Sequence, residues 1–158
     1  MIQRIQTIFL ALVAISCILL FFFPLANYYD VVNGNYKFFI QGVKYMDPEP
    51  KVQFGGWFAL PLIIMVAASF IFTVATLFLY KKRPMQIRLI TFNVLLNIIL
   101  LIVIFFFYAT KIKTMTLIEP EYQYPGMVLP LISLLFLILS QRFIRKDENL
   151  VRSADRIR

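Results

Sequence analysis

The sequence predicts an all-α membrane protein, a four-transmembrane-helix bundle with a small antiparallel β-sheet in its outer loops. Three observations carry this expectation. The 158 residues are 61% hydrophobic and only 15% charged, whereas soluble chains average roughly 45–50% apolar and about 25% charged. The charges cluster, leaving Ile5–Tyr29, Val52–Tyr80, Leu89–Thr110 and Tyr122–Gln141 uncharged. The net charge of +8 falls on one side of a four-span arrangement. A helix rising about 1.5 Å per residue needs about 20 apolar residues to cross roughly 30 Å of hydrocarbon, and each stretch reaches that length. The spacing places spans at about 5–26, 57–80, 87–109 and 125–144, outer loops at 27–56 and 110–124, a cytoplasmic loop at 81–86 and a tail at 145–158.

The first span follows Arg4, a short basic segment of the kind that precedes a signal peptide. Its apolar run from Ile5 to Phe23 exceeds a signal peptide's usual core, and Pro24-Leu25-Ala26-Asn27 is a poor cleavage site, so an uncleaved anchor is expected. Cys17 lies inside it. A lone thiol forms no internal disulfide and no CxxC pair. There is no histidine, which removes the commonest general base and transition-metal ligand.

The first outer loop is the largest extramembrane segment. Tyr28–Val32 and Tyr36–Ile40 read as strands flanking Asn33-Gly34-Asn35, because Asn-Gly suits a tight hairpin turn. Gln41-Gly42 offers a second turn before Val43–Met46, Asp47-Pro48-Glu49-Pro50 is a stiff loop, and Val52–Phe54 suits a short return strand. A sheet this small must lean on helix ends or a partner. In the second outer loop Lys113–Ile118 is β-biased enough to join it. The fourth span is the weakest, with Pro125, Gly126 and Pro130 crowding its start.

Orientation follows from the basic residues. Arg4, the run Lys81, Lys82, Arg83 and Arg88, and the tail's Arg142, Arg145, Lys146, Arg152, Arg156 and Arg158 supply the excess, while each outer loop balances its own charges. The short loop between the second and third spans decides the topology, with both termini cytoplasmic and a bacterial inner membrane as the setting. Tyr28, Tyr29, Trp57, Tyr108, Tyr122 and Tyr124 are expected at the outer boundary and Tyr80 at the inner one, as an aromatic belt. The basic balance is explained by topology and attraction to anionic headgroups, so no nucleic-acid partner is expected.

All five glycines lie in or beside the outer loops, so no GxxxG packing face exists. Thr7, Ala11, Ala14 and Cys17 share one face of the first helix, Ser69, Thr73 and Thr76 one face of the second, and Asn93 and Asn97 stand a turn apart on the third. These stripes are expected to face the bundle interior. The two asparagines suit either a ligand or an interhelical hydrogen bond worth about 0.6–2 kcal/mol. No Asp, Glu, Lys, Arg or His lies within the four uncharged stretches that make up the spans, which weighs against proton relays and ion-coupled carriers. No GxSxG, HExxH or phosphate-cradling loop is present, and Glu119 and Glu121 read as solvated loop charge. Neither an enzyme nor a metal or cofactor site is expected. In the tail, Glu148 and Arg152 form a favourable i, i+4 pair, and Leu150, Ala154 and Ile157 a narrow apolar stripe. That extension suits anionic lipid, a cytoplasmic partner, or a plain solvated tail.

Two segments carry a resemblance. The opening Met1-Ile2-Gln3-Arg4-Ile5-Gln6-Thr7 and the ending from Arg145 through Arg158, RKDENLVRSADRIR, resemble an uncharacterised family of small membrane proteins from Bacteroidota. The resemblance implies the taxon and the four-span layout and brings no activity. In layout alone the chain is similar to claudin-like proteins, whose first outer loop forms a sheet, although their Trp and paired-Cys signature is missing. The leading functional expectation is a non-catalytic accessory or scaffold protein that binds membrane-protein or cytoplasmic partners. The alternative is a lipid or small-molecule binder, or a carrier, with a cleft near Asn93 and Asn97.

Overall fold

A computed structural model describes residues 3–30, 34–47, 52–79 and 82–156. In chain order the elements are α1 (Gln3–Leu19), β1 (Ala26–Asp30), β2 (Gly34–Phe39), β3 (Gly42–Tyr45), α2 (Leu60–Phe78), α3 (Arg83–Thr116), β4 (Glu121–Tyr122) and α4 (Tyr124–Arg156). The helices pack in a ring, α1 against α2, α2 against α3, α3 against α4 and α4 back against α1. Three of them, α2, α3 and the Tyr124–Leu150 part of α4, are long and apolar enough to cross a membrane, while α1 is shorter. Their outward faces carry Ile64, Ile71, Phe92, Leu95, Phe106 and Leu135, all exposed. Contiguous large apolar side chains facing outward suit a lipid surround and not water. The chain has the build of a membrane protein.

The buried positions explain the ring. On α1 they include Gln6, Leu10, Val13 and Cys17, on α2 Leu62, Val66, Ser69, Thr73 and Thr76, on α3 Gln86, Ile90, Asn93, Asn97, Leu100 and Ile104, and on α4 Ser133, Leu137, Ser140 and Ile144. Alternating steps of three and four residues keep one seam turned toward near-parallel neighbours, the coiled-coil-like rule of helix bundles. Along α1 the expected small-residue face is displaced. Cys17 is buried, but Thr7 is exposed and Ala11 and Ala14 are half-buried, because Leu10 and Val13 supply the volume the seam needs.

From Ile104 onward the buried residues of α3 step by four, to Tyr108, Ile112 and Thr116. An α-helix would rotate such a series off its face. The Val103–Tyr108 segment is wound as a π-helix instead, and its wider turn restores the register. The helix therefore continues through Lys113, and the β-strand expected over Lys113–Ile118 does not form. Thr114 and Thr116 return their hydroxyls to the carbonyls of Thr110 and Ile112 (both 2.8 Å), which satisfies these β-branched residues inside a helix. Leu117, with φ +60°, ends it. At about 1.5 Å per residue, a helix running from Arg83 to Thr116 is roughly 50 Å long, more than a hydrocarbon core of roughly 30 Å needs, and its last turns underpin the sheet.

The sheet has the order β3-β2-β1-β4 with antiparallel neighbours. The Asn33 half of the expected hairpin turn lies outside the described residues, as do Pro48, Glu49 and Pro50. Register runs from Asp30 opposite Gly34 to Ala26 opposite Phe38. Gly34 (φ +94°) takes the left-handed conformation that glycine adopts without strain. Glu121 and Tyr122 supply the fourth strand, opposite Asn27 and Ala26. The return strand over Val52–Phe54 is absent. Instead the Tyr36 hydroxyl accepts the Val52 N–H and the Tyr45 hydroxyl accepts that of Phe54.

Helix α1 stops at Leu19, short of the expected end near 26. Pro24 disfavours helical geometry at the residue before it, and the Leu25 N–H is taken by Phe38 O (2.7 Å), which draws Ala26 into β1. Gly126 makes this crossing possible: a Cβ there would stand 1.9 Å from the Pro24 carbonyl oxygen. Tyr28 and Tyr108 leave the expected aromatic belt for the core. Phe38 stacks on Tyr108 (5.9 Å, 11°), Phe58 meets Tyr108 edge-on (5.0 Å, 78°), and the Tyr28 hydroxyl donates to Ala109 O (3.4 Å). Burial, with a smaller contribution from Tyr122, pushes the Tyr28 phenol above its ordinary value. Trp57, Tyr29, Tyr122 and Tyr124 remain exposed, and Tyr80 lies outside the described residues.

Candidate functional site

Two polar constellations lie within the bundle, one at mid-height and one at the end opposite the sheet. At mid-height the seam positions of all four helices turn polar together. Asn93 Nδ2 donates to Thr73 Oγ1 (2.8 Å) and Ser69 O (3.2 Å). Asn97 Nδ2 lies within bonding distance of Ser69 Oγ (2.8 Å), Asn93 O (3.0 Å) and Asn93 Oδ1 (3.1 Å). Ser133 Oγ donates to Asn97 Oδ1 (3.4 Å), and Cys17 Sγ approaches Ser69 Oγ at 3.9 Å. Asn93 and Asn97 are 0% and 2% exposed. Four of the five residues expected as a group, Ser69, Thr73, Asn93 and Asn97, thus meet directly. Thr76 is buried a turn away, with its hydroxyl on Phe72 O (2.6 Å). Each amide finds its acceptors inside the bundle, so the layer locks register between helices as interhelical hydrogen bonds do.

The second constellation joins the other end. Gln6 Nε2 donates to Asp147 Oδ2 (2.7 Å), tying α1 to α4. Arg83 Nη1 donates to the backbone oxygen of Asp147 (3.3 Å), tying α3 to α4, and Gln86 Nε2 donates to Thr76 O (3.1 Å), tying α3 to α2. Unlike the mid-height layer, these groups surround a cavity of about 620 Å³, also lined by Leu10, Leu77, Phe78 and Ile144. Ligand sites commonly measure 300–1,000 Å³ and combine apolar walls with a few convergent polar groups. Among the described residues, no three Cys, Asp or Glu side chains converge as metal ligands would.

Of the basic residues singled out by charge, Arg83 lies at this cavity, and Lys82, Arg88, Arg142, Arg145 and Lys146 are exposed at the same end. Lys81, Arg158 and the side chains of Arg152 and Arg156 lie outside the described residues, so the Glu148–Arg152 pair and the Ala154–Ile157 stripe do too. The helix carrying the tail does continue to Arg156. Sequence reasoning missed Gln6, Gln86, Ser133 and Asp147. A seam signal existed for the first three: Gln6-Leu10, Gln86-Ile90 and Ser133-Leu137 each occupy i, i+4 seam positions. Asp147 had none, because Gln6 is 141 positions away.

No curated protein and no solved structure matches the chain. A family model described as a domain of unknown function, DUF4293, matches residues 2–157, nearly the whole length, and the chain belongs to that family.

Proposed function

We propose that the chain is a four-span protein of a bacterial inner membrane, with both termini in the cytoplasm, serving as a non-catalytic accessory or scaffold subunit. Helix α1 supports the fourth span: it lies between α2 and α4 in the ring, so membrane that surrounds them surrounds it. The basic residues at the end opposite the sheet support the orientation. A Bacteroidota source rests on the resemblance of the chain ends. The single observation behind the scaffold role is the division of labour in the bundle. Its mid-height polar groups are spent on one another, while ordered surfaces project beyond both ends, the four-stranded sheet at one and the extension of α4 at the other. Purification from native membrane in mild detergent tests this. Stoichiometric companions, lost on deleting Leu150–Arg158 or on altering the sheet, are expected, and a clean monomer contradicts the role.

A second reading is lipid binding, and the cavity bounded by Gln6, Arg83 and Asp147 favours it. It replaces the cleft expected near Asn93 and Asn97, whose amides are committed to α2, α3 and α4. Lipid retained through purification supports it, and a lipid-free protein opposes it.

A further inference from the structure

The cavity opposite the sheet has a built-in polarity. On α1, Gln6 lies one turn before Leu10, and on α4, Asp147 lies three residues beyond Ile144. At about 1.5 Å per residue, the polar groups stand roughly 5 Å nearer the helix ends than the apolar ones. Arg83 opens α3 at the polar level, and Leu77 is near the end of α2. On α1 and α4 the polar groups therefore stand outside the apolar ones, as the head and chain of a membrane amphiphile do, while Leu77, Phe78 and Gln86 close the cavity on the α2 and α3 side.

The rim holds two opposite charges that do not pair. The Arg83 guanidinium bonds the backbone oxygen of Asp147, not its carboxylate. The carboxylate takes the uncharged Gln6 amide on Oδ2, while the Lys113–Glu119 ion pair lies at the sheet end. A guanidinium has five N–H donors and a carboxylate about four acceptor sites, so one bond apiece leaves both with capacity. A phosphate would satisfy the first by a forked, charge-assisted contact, and an ammonium the second. An anionic head without an amine would meet Arg83 but bring a second negative charge beside Asp147.

We infer that this cavity binds an amine-bearing zwitterionic phospholipid, with its phosphate on Arg83, its ammonium on Asp147 and its first methylenes over Leu10 and Ile144. The inference rests on the lipid-binding reading and narrows it to one headgroup. Exposed Lys82 and Lys146 raise the local concentration of anionic lipid, so selectivity for the amine has to come from Asp147 itself.

The test uses the full chain reconstituted in vesicles of equal phosphatidylethanolamine and phosphatidylglycerol with identical acyl chains, followed by native mass spectrometry of the lipid retained. Wild type is expected to keep one phosphatidylethanolamine per chain, enriched about tenfold over phosphatidylglycerol. Asp147→Asn keeps an acceptor for Gln6 and is expected to retain lipid with that preference abolished. Arg83→Gln is expected to lower retention of both lipids. If wild type keeps phosphatidylglycerol equally or better, the headgroup inference is overturned while lipid binding stands. If it keeps neither, both fall. The wild-type ratio decides the matter even where a variant folds poorly.

Discussion

The mid-height layer and the opposite-end cluster both set side-chain amides at buried seam positions, Asn93 and Asn97 in one and Gln6 and Gln86 in the other, yet they do different things. Around Asn93 and Asn97 the groups fill one another's valences and leave them at most 2% exposed. Around Gln6, Arg83 and Asp147 they rim a cavity of about 620 Å³ and hold two charges unpaired. Polarity inside a bundle is therefore a poor marker of a site. Space and unspent valence mark one, and only the second cluster has both.

Single substitutions separate the two regions. A backbone contact at the sheet end sets the upper limit. Gly126→Ala would force a methyl against the Pro24 carbonyl, where a Cβ would stand at 1.9 Å, and is expected to lower stability by about 3 kcal/mol in a detergent unfolding titration, as severe overpacking does. Asn97→Ala comes next. It strips partners from Ser69 and Ser133 in a buried layer and is expected to cost about 2 kcal/mol with retained lipid unchanged. Lipid loss without destabilisation would reverse the roles assigned to the two clusters.

Gln86→Ala cuts one interhelical bond to Thr76 O and is expected to cost about 1 kcal/mol. Asp147→Asn should change stability by under about 0.5 kcal/mol, because an amide oxygen still accepts from Gln6, and it acts on lipid choice instead. Smallest is Ser140→Ala. The Ser140 hydroxyl is buried without a hydrogen-bond partner, so removing it is expected to be neutral or slightly stabilising, within about 0.5 kcal/mol. A clear loss there would reveal a partner in the membrane-embedded protein.

Charge-free length made the helical mass legible in the sequence, and Asn-Gly with alternating aromatics announced a sheet. What defeated the reading was competition settled by distant partners. Lys113–Ile118 has β-branched threonines, but Ile112 and Thr116 continue the buried face of α3, and packing overrode propensity. The uncharged stretch from Ile5 could not show that Phe38 captures Leu25 and ends the helical path early. The Ser69-Thr73 and Asn93-Asn97 stripes were readable because each spacing lies within one helix. The cavity was not, since its lining comes from all four helices and its Gln6–Asp147 bond joins the two ends of the chain.

Which side each end faces underlies the proposed role, and impermeant thiol labelling of intact cells reads it directly. Native Cys17 is buried, so a cysteine placed at exposed Met46 by the sheet, or at exposed Asn149 near the end of α4, reports alone. The account requires Met46→Cys to label in intact cells once the outer envelope is made permeable, and Asn149→Cys to label only after the inner membrane is broken. Labelling of Asn149→Cys with that membrane intact would contradict it.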